Sequence, residues 1–336
     1  MDQSAGAQAP ILLPAVSVLI ASHNHAPYIA EALDSVLAQT CGDWEVVIVD
    51  DGSTDGTGEA AQAWCQDHQE RLSGRFQLMR IENAGQSAAY EAGAPSCRGR
   101  YIALLDSDDR WLPAKLATAL RALDADAEAT LLNHAQYIID SQGRRTGGLW
   151  PRGGYLPSGD LREPMRHSGR LAVGTASSMV FRADVFRSLL PTPTRKFSSA
   201  ADYYFGFGAC LAGPILALGE PLGEYRIHPS SMYLQRMSNG EGLRRQLDLQ
   251  ETITGHFGLG AVLVHNAYYQ RARFALACLT GSIIDRFRTF RDFGSAILGD
   301  PWFSPGQKIQ QLGFWSVAAV LPRSAFVRLW RWFLLR

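Results

Sequence analysis

Hydrophobic and polar positions alternate in blocks along the first third of the chain. Short apolar runs rich in β-branched residues each predict a strand buried on both faces, and they lie at 16–21, 45–49, 76–81 and 101–105. Between these runs apolar residues recur at helical spacing, as in Ile29, Leu33 and Val36. Residues 16–124 therefore predict an α/β fold with a mostly parallel sheet flanked by helices.

The pattern changes after residue 124. Turn residues cluster from 141 to 174, and further strands are expected at 173–181, 216–219 and 222–226. From Glu241 to about Gly294 the pattern is helical, and the remaining tail is aromatic and basic. We therefore divide the chain into a flexible leader (1–14), an α/β domain (15–235), a helical extension (236–300) and an amphipathic tail (301–336).

Composition narrows the partners and the location. Lys and Arg total 32 and Asp and Glu total 32, so no global field favours nucleic acid. The five cysteines form no C-x-x-C pair, which is typical of buried thiols in a reducing compartment. The N-terminus lacks the basic stretch of a secretory signal, and no run reaches about 18 apolar residues. We expect a cytoplasmic protein without a membrane span.

Polar residues follow three of the predicted strands. They are Ser22-His23-Asn24, Asp50-Asp51 and Asp106-Ser107-Asp108-Asp109. Such residues also favour turns and helix caps, so one cluster alone would mean little. In an open parallel sheet, however, ligands bind outside the carboxyl ends of the strands. Three polar clusters at one edge favour a binding site.

The spacing of Asp106 and Asp108 indicates what this site binds. Two carboxylates at a strand end offer hard oxygen ligands, which suit Mg²⁺ or Mn²⁺ together with substrate phosphates. The chain has no G-x-x-x-x-G-K-[ST], and no G-x-G-x-x-G follows a strand. ATPase and nicotinamide-dependent functions therefore lose support, while a diphosphate ligand fits.

These motifs together resemble the family 2 glycosyltransferases of GT-A fold. The resemblance covers about residues 15–232 and is carried by the segments 16–24, 33–40, 44–55, 83–87, 99–109, 177–182, 201–202 and 225–228. It implies that 15–235 is a GT-A catalytic domain that uses a nucleotide-diphospho-sugar donor, with a uridine nucleotide expected. Growing surface polysaccharide or a lipid-linked saccharide is the acceptor that the resemblance implies.

The resemblance also implies roles for individual residues. Asp51 lies where relatives hydrogen-bond the uracil, and His23 replaces a more usual tyrosine. Asp106 would contact ribose or metal, and Asp108 would bind the metal directly. The predicted nucleotide contacts are Ala21, Ser22, His23, Asn24, Asp50, Asp51 and Asp106. Arg226 could pair with the diphosphate, and His228 with the metal or a phosphate oxygen.

One base suffices for a single displacement, which inverts the anomeric centre. Relatives place that base in an acidic pair, and here the matching positions are Ala201 and Asp202. We predict that Asp202 is the base, with a helix-capping role as the alternative. His25, His68 and His256 receive no role.

Two questions stay open at the level of sequence, namely the function and the role of the tail. A non-catalytic nucleotide-sugar-binding assembly module and, less favoured, a sugar nucleotidyltransferase are alternative functions.

The tail combines Lys308, Arg323, Arg328, Arg331 and Arg336 with several aromatic residues and contains no acid. It predicts either a helix pair, broken at Pro322, at an anionic membrane surface or a segment packed on the catalytic domain.

Overall fold

A nine-stranded mixed sheet organises residues 16–226. The computed structural model describes residues 13–151, 156–168, 173–193, 201–229, 231, 239–300 and 303–335. The strands are β1 (Val16–Ser22), β2 (Trp44–Asp51), β3 (Phe76–Ile81), β4 (Tyr101–Leu104), β5 (Arg110–Trp111), β6 (Leu131–Ile139), β7 (Arg145–Trp150), β8 (Val180–Arg182) and β9 (Ile215–Arg226).

Helices cover this sheet and continue beyond it. They are α1 (Ile29–Leu37), α2 (Thr57–Asp67), α3 (Gln69–Leu72), α4 (Gln86–Gly93), α5 (Lys115–Ala125), α6 (Arg162–Ser168), α7 (Ala183–Ser188), α8 (Ala201–Ala212), α9 (Gly240–His256), α10 (Ala267–Thr280), α11 (Ile283–Gly299), α12 (Pro305–Val320) and α13 (Arg323–Leu335). The predicted α/β class with a helical C-terminal region is confirmed.

The strand order is β3-β2-β1-β4-β8-β6-β9-β5, with β7 paired to β6. The strands β3, β2, β1 and β4 are parallel to one another, as their continuous apolar runs predict. β8 then runs antiparallel to both β4 and β6, which makes the whole sheet mixed. The carboxyl ends of β1, β2 and β4 consequently lie at one edge.

Both faces of the parallel strands are buried. Leu19 and Val47 pack with Tyr90 of α4 on one face, whereas Val18 and Val46 pack with Leu33 of α1 on the other. The alternation follows from the two-residue repeat of a strand. This double burial is why the strands read as uninterrupted apolar runs in the sequence.

The structure differs from the sequence prediction in the second half. No strand was predicted at β6, because the buried polar residues Asn133, His134 and Gln136 interrupt its apolar pattern. The predicted strands at 216–219 and 222–226 form one strand, β9. Of the strand expected at 173–181, only Val180 and Phe181 are in a strand, β8. The stretch predicted as turns contains β7 and α6.

The five helices α9–α13 form a C-terminal helical unit with one core. Trp315, Phe326 and Trp330 are buried in it beside Leu243 and Phe274. The expected tail therefore shares its core with the helical extension, and these aromatic side chains are unavailable to a membrane. Pro322 separates α12 from α13, as expected. Of the proposed leader, residues 1–12 lie outside the described residues.

We predict that Trp315→Ala lowers the free energy of unfolding by about 3–5 kcal/mol, because it opens a cavity in this core. Trp315 is fully buried, whereas Trp332 is 44% exposed, so Trp332→Ala is the matched control and should cost less. Chemical denaturation followed by tryptophan fluorescence and circular dichroism measures both. Equal losses would contradict the burial that the structure shows.

Candidate active site

The loop after β1 is joined to the loop after β2. Asn24, with a positive φ of 55°, accepts a hydrogen bond at Oδ1 from the Thr54 amide at 2.9 Å. The Asn24 amide donates to Ser53 Oγ at 3.0 Å, and the His25 amide donates to Thr57 Oγ1 at 2.8 Å. Asn24, predicted as a nucleotide contact, thus also fixes the two loops that border the crevice.

Asp51 points toward the loop that precedes α4. Its two carboxylate oxygens accept hydrogen bonds from the Ala84 and Gly85 amides, both at 2.8 Å. Gly52 follows with φ of 67°, and a Cβ there would lie 2.7 Å from the Asn83 nitrogen. Glycine is therefore required at this close approach. Each Asp51 oxygen keeps a second acceptor site, so the predicted base contact remains chemically available.

Asp50 lies on the opposite face of β2 from Asp51. Its Oδ1 accepts from the Ser53 amide at 3.1 Å, and its Oδ2 lies 3.6 Å from Arg80 Nε. Because successive strand residues point to opposite faces, the Asp50 side chain points away from that of Asp51 and stabilises the turn after β2. The nucleotide contact of Asp50 stays a prediction.

His23 faces the crevice beside Asp51. Its Nδ1 lies 2.8 Å from the Asp51 carbonyl oxygen, and Asn83 Nδ2 lies 3.1 Å from its Nε2. Ser22 is buried, and its Oγ has no hydrogen-bond partner among the described residues. Ala21 is half-buried at the end of β1. The residues predicted to contact the nucleotide thus lie at the carboxyl ends of the parallel strands β1, β2 and β4.

Asp106 lies among other carboxylates. Its Oδ1 accepts from Gln86 Nε2 at 2.8 Å, and its amide donates to Ser177 Oγ at 2.9 Å. Burial, followed by the negative charges of Asp109, Asp108 and Asp202, raises the pKa of Asp106 well above its usual range. A cation bound nearby would relieve this repulsion, which fits a divalent metal.

Asp108 lies beside two histidines. Asp108 Oδ2 is 2.9 Å from His228 Nε2 and 3.9 Å from His25 Nε2. The three candidate ligand atoms lie within 4.8 Å of one another. Burial opposes ionisation of Asp108, but the His228 hydrogen bond and the two imidazoles lower its pKa overall. Burial lowers the pKa of His25, against the charge of Asp108, and so favours its neutral, metal-binding form.

This donor set fits a divalent metal and overlaps with the predicted ligands. Asp108 and His228 belong to this group. For His228, metal binding was one of the two roles considered from the sequence. Asp106 is outside the group of three and accepts from Gln86 instead. His25 is a site residue that the sequence analysis missed. Its position directly after Asn24 was the available signal, but nothing in the sequence places β9 and β4 beside it.

The guanidinium of Arg226 is engaged inside the protein. Its side chain is fully buried, and its Nε donates to the Asp108 carbonyl at 2.6 Å. Its Nη2 donates to Glu31 Oε2 at 2.8 Å, and its guanidinium lies over the Tyr28 ring. These donors hold the Asp108 loop from inside the protein, and the pairing of Arg226 with a diphosphate stays a prediction.

Asp202 is in the first turn of α8, and its Oδ1 lies 2.8 Å from the Tyr203 amide that donates to it. After burial, its charge contributes to the raised pKa of Tyr90, Tyr225 and Asp106. The structure thus brings Asp202 within electrostatic reach of the Asp106 cluster, although residues 194–200 before it lie outside the described part of the chain.

Comparison with known proteins identifies the family. The family described as "Glycosyl transferase family 2" matches residues 17–190, which include all three strand-end clusters. The chain belongs to this family. An uncharacterized glycosyltransferase of Nostoc is 31% identical over 224 residues, 66% of this chain and 68% of the relative. The putative teichuronic acid biosynthesis glycosyltransferase TuaG of Bacillus subtilis is 40% identical over 108 residues, 32% of this chain and 41% of TuaG.

Solved structures support the fold of this glycosyltransferase. TarS 1-349 of S. aureus in complex with UDP-GlcNAc superposes with a TM-score of 0.54 at 17% identity and covers 94% of this chain and 89% of its own. The mannosyltransferase PcManGT of Pyrobaculum calidifontis, in complex with GDP-Man and Mn²⁺, gives 0.53 at 18% identity, with coverage of 98% and 87%. At such identities the likeness concerns the fold.

Proposed function

We propose that this family 2 glycosyltransferase transfers a sugar from a UDP-sugar to an acceptor hydroxyl with inversion at the anomeric centre. The observation that carries the proposal is the arrangement at the end of β4. There Asp108, His25 and His228 offer metal ligands beside the Asp106 and Asp202 carboxylates. A metal ion would stabilise the diphosphate leaving group, and a neighbouring carboxylate would accept the proton of the acceptor hydroxyl.

The donor would bind between the loops after β1 and β2. Asp51, fixed by the Ala84 and Gly85 amides, can accept the N–H of uracil, and His23 with Asn83 forms the adjacent wall. TarS has been solved with UDP and UDP-GlcNAc, and PcManGT with GDP-Man and Mn²⁺. These complexes support a nucleotide-sugar donor and Mn²⁺ or Mg²⁺ as the cofactor.

Asp108 and His228 would hold that cation. When bound, it stabilises negative charge on a departing diphosphate. Asp202 would take the proton of the acceptor hydroxyl. The second acid of the usual pair is Ala201 here, so Asp202 alone would act as the base.

The first test is a screen of nucleotide sugars for slow hydrolysis with and without Mn²⁺. We expect hydrolysis of a UDP-sugar that requires the metal and is abolished in Asp108→Ala. Asp184→Ala, an exposed acid in the first turn of α7, is the control and should remain active. Calorimetric binding of UDP without any turnover would favour a binding module. Pyrophosphate release from UTP and a sugar phosphate would favour a nucleotidyltransferase.

The second test concerns the base. Asp202→Asn keeps the shape of the side chain but removes its basicity, so transfer should fall by about 10²–10⁴-fold. The affinity for UDP, measured by calorimetry, should stay the same. NMR of the product linkage should show inversion. Loss of UDP binding would mean that Asp202 is a nucleotide or structural residue, and retention would contradict a single displacement.

For the acceptor we propose growing surface polysaccharide or a lipid-linked saccharide at the cytoplasmic face of the membrane. The name of TuaG, which refers to teichuronic acid biosynthesis, supports this class. Among the helices that the structure describes, none is both long and apolar enough to cross a bilayer. We propose that contact with the membrane is peripheral.

The outward side of the C-terminal helical unit supports such contact better than the buried tail aromatics do. On α11, Ile284, Phe287 and Leu298 are 66%, 52% and 62% exposed. Arg288 and Arg291 are exposed on the same helix, whereas its acids, Asp285 and Asp292, are half-buried. Apolar side chains among arginines are typical of helices that lie at an anionic interface.

We predict that the full chain sediments with vesicles containing phosphatidylglycerol and binds less to neutral phosphatidylcholine vesicles. Replacing Ile284 and Phe287 together by Asp should abolish this difference, because the substitutions add negative charge and remove apolar area. Val264→Asp is the control, since Val264 is 58% exposed but lies outside α11–α13. Unchanged sedimentation of the double variant would show that this helix face does not bind the membrane.

A further inference from the structure

His25 lies in the loop after β1 and contacts two residues that follow β4. Its Nδ1 lies 2.7 Å from the hydroxyl of Ser107, and its Nε2 lies 3.9 Å from Asp108 Oδ2. Ser107 is fully buried and is the middle residue of the Asp106-Ser107-Asp108 run. The His25 and His228 rings meet edge to face, with centroids 5.7 Å apart. Both imidazoles therefore approach Asp108.

The contact with Ser107 determines which nitrogen is available. A histidine that ligates a metal typically engages its other ring nitrogen in a hydrogen bond, which fixes the ring and its tautomer. When Nδ1 of His25 donates to the Ser107 hydroxyl, Nε2 presents its lone pair toward Asp108. Ser107, which lies between the two aspartates after β4, thus contacts a histidine of the loop after β1.

We propose that His25 is a third protein ligand of the metal and that Ser107 is its positioning residue. The site then has two imidazoles and one carboxylate, and it selects Mn²⁺ over Mg²⁺. The role of the metal in turnover rests on the proposed function, but the ligand set does not. Imidazole suits transition metals, whereas Mg²⁺ prefers oxygen ligands and gives up its water reluctantly.

The loop that carries His25 is fixed before any donor binds. The His25 amide donates to Thr57 Oγ1 at 2.8 Å, and the Ala26 amide donates to Asp55 Oδ2 at 3.0 Å. His228 is fixed as well, since its amide donates to Ser231 Oγ at 2.9 Å. Preorganised ligands lose little freedom on binding, so the protein should bind Mn²⁺ in the absence of nucleotide.

The test is a titration of the full, nucleotide-free chain with MnCl₂, in which electron paramagnetic resonance measures free Mn²⁺. We expect one site per chain, displaced only by a large excess of MgCl₂. His25→Ala should weaken Mn²⁺ binding by about 100-fold or more and reduce the preference over Mg²⁺. Ser107→Ala should weaken it by about 10- to 100-fold, the usual effect of losing an outer-sphere partner. His68→Gln is the control, because His68 stacks on Trp64.

The outcomes separate this proposal from the proposed function. Thermal melting and UDP binding without metal show whether each variant is folded. If folded His25→Ala binds Mn²⁺ as wild type does while Asp108→Ala does not, His25 is not a ligand and the metal-dependent function stands. If Asp108→Ala also binds Mn²⁺ normally, the site itself is wrong. An unchanged Mn²⁺-to-Mg²⁺ preference in folded His25→Ala would likewise overturn the proposal.

Discussion

Buried negative charge at the carboxyl end of β4 is the constraint on which the rest of the site depends. Asp106, Asp108 and Asp109 lie within four residues, and Asp202 of α8 adds a fourth carboxylate within electrostatic reach. Carboxylates removed from water must be hydrogen-bonded, paired or protonated. Burial is the first cause of the raised pKa of both Asp106 and Asp109, and Asp109 Oδ2 has no hydrogen-bond partner among the described residues.

The compensation that exists comes from distant parts of the chain. The amide of Arg226 donates to Asp109 Oδ1 at 2.8 Å, and its guanidinium links the Asp108 carbonyl to Glu31 of α1. Arg110 donates to the same Glu31 oxygen at 2.9 Å and pairs with Glu224 of β9. This network joins the parallel half of the sheet to β9 directly behind the metal-ligand candidates. Arg226 is fully buried whereas Glu31 is 42% exposed, so removing Glu31 would leave the buried guanidinium without one of its partners.

The C-terminal helical unit is stabilised by a separate hydrophobic core. Its aromatic residues fill a core of their own, and Arg286 Nη1 donates to the Leu321 carbonyl at 2.8 Å, which joins the start of α11 to the end of α12. Among the described residues, eight exposed large apolar side chains lie on α11–α13, including Ile284, Phe287 and Leu298. A chain with no net charge can thus present a local apolar and basic surface.

The sequence by itself determined the parallel strands, the loops at their ends and the acids they carry. Doubly buried strands read as unbroken apolar runs, and Asp51, Asp108 and Asp202 occupy recognisable motif positions. Only the tertiary structure decided the direction of each side chain. Asp50 and Asp51 are adjacent in sequence but point to opposite faces, and Arg226, expected to face phosphate, is buried against Glu31. His25, Asp108 and His228 meet because β9 returns beside β4's loop, a contact between residues 120 positions apart that no local pattern encodes.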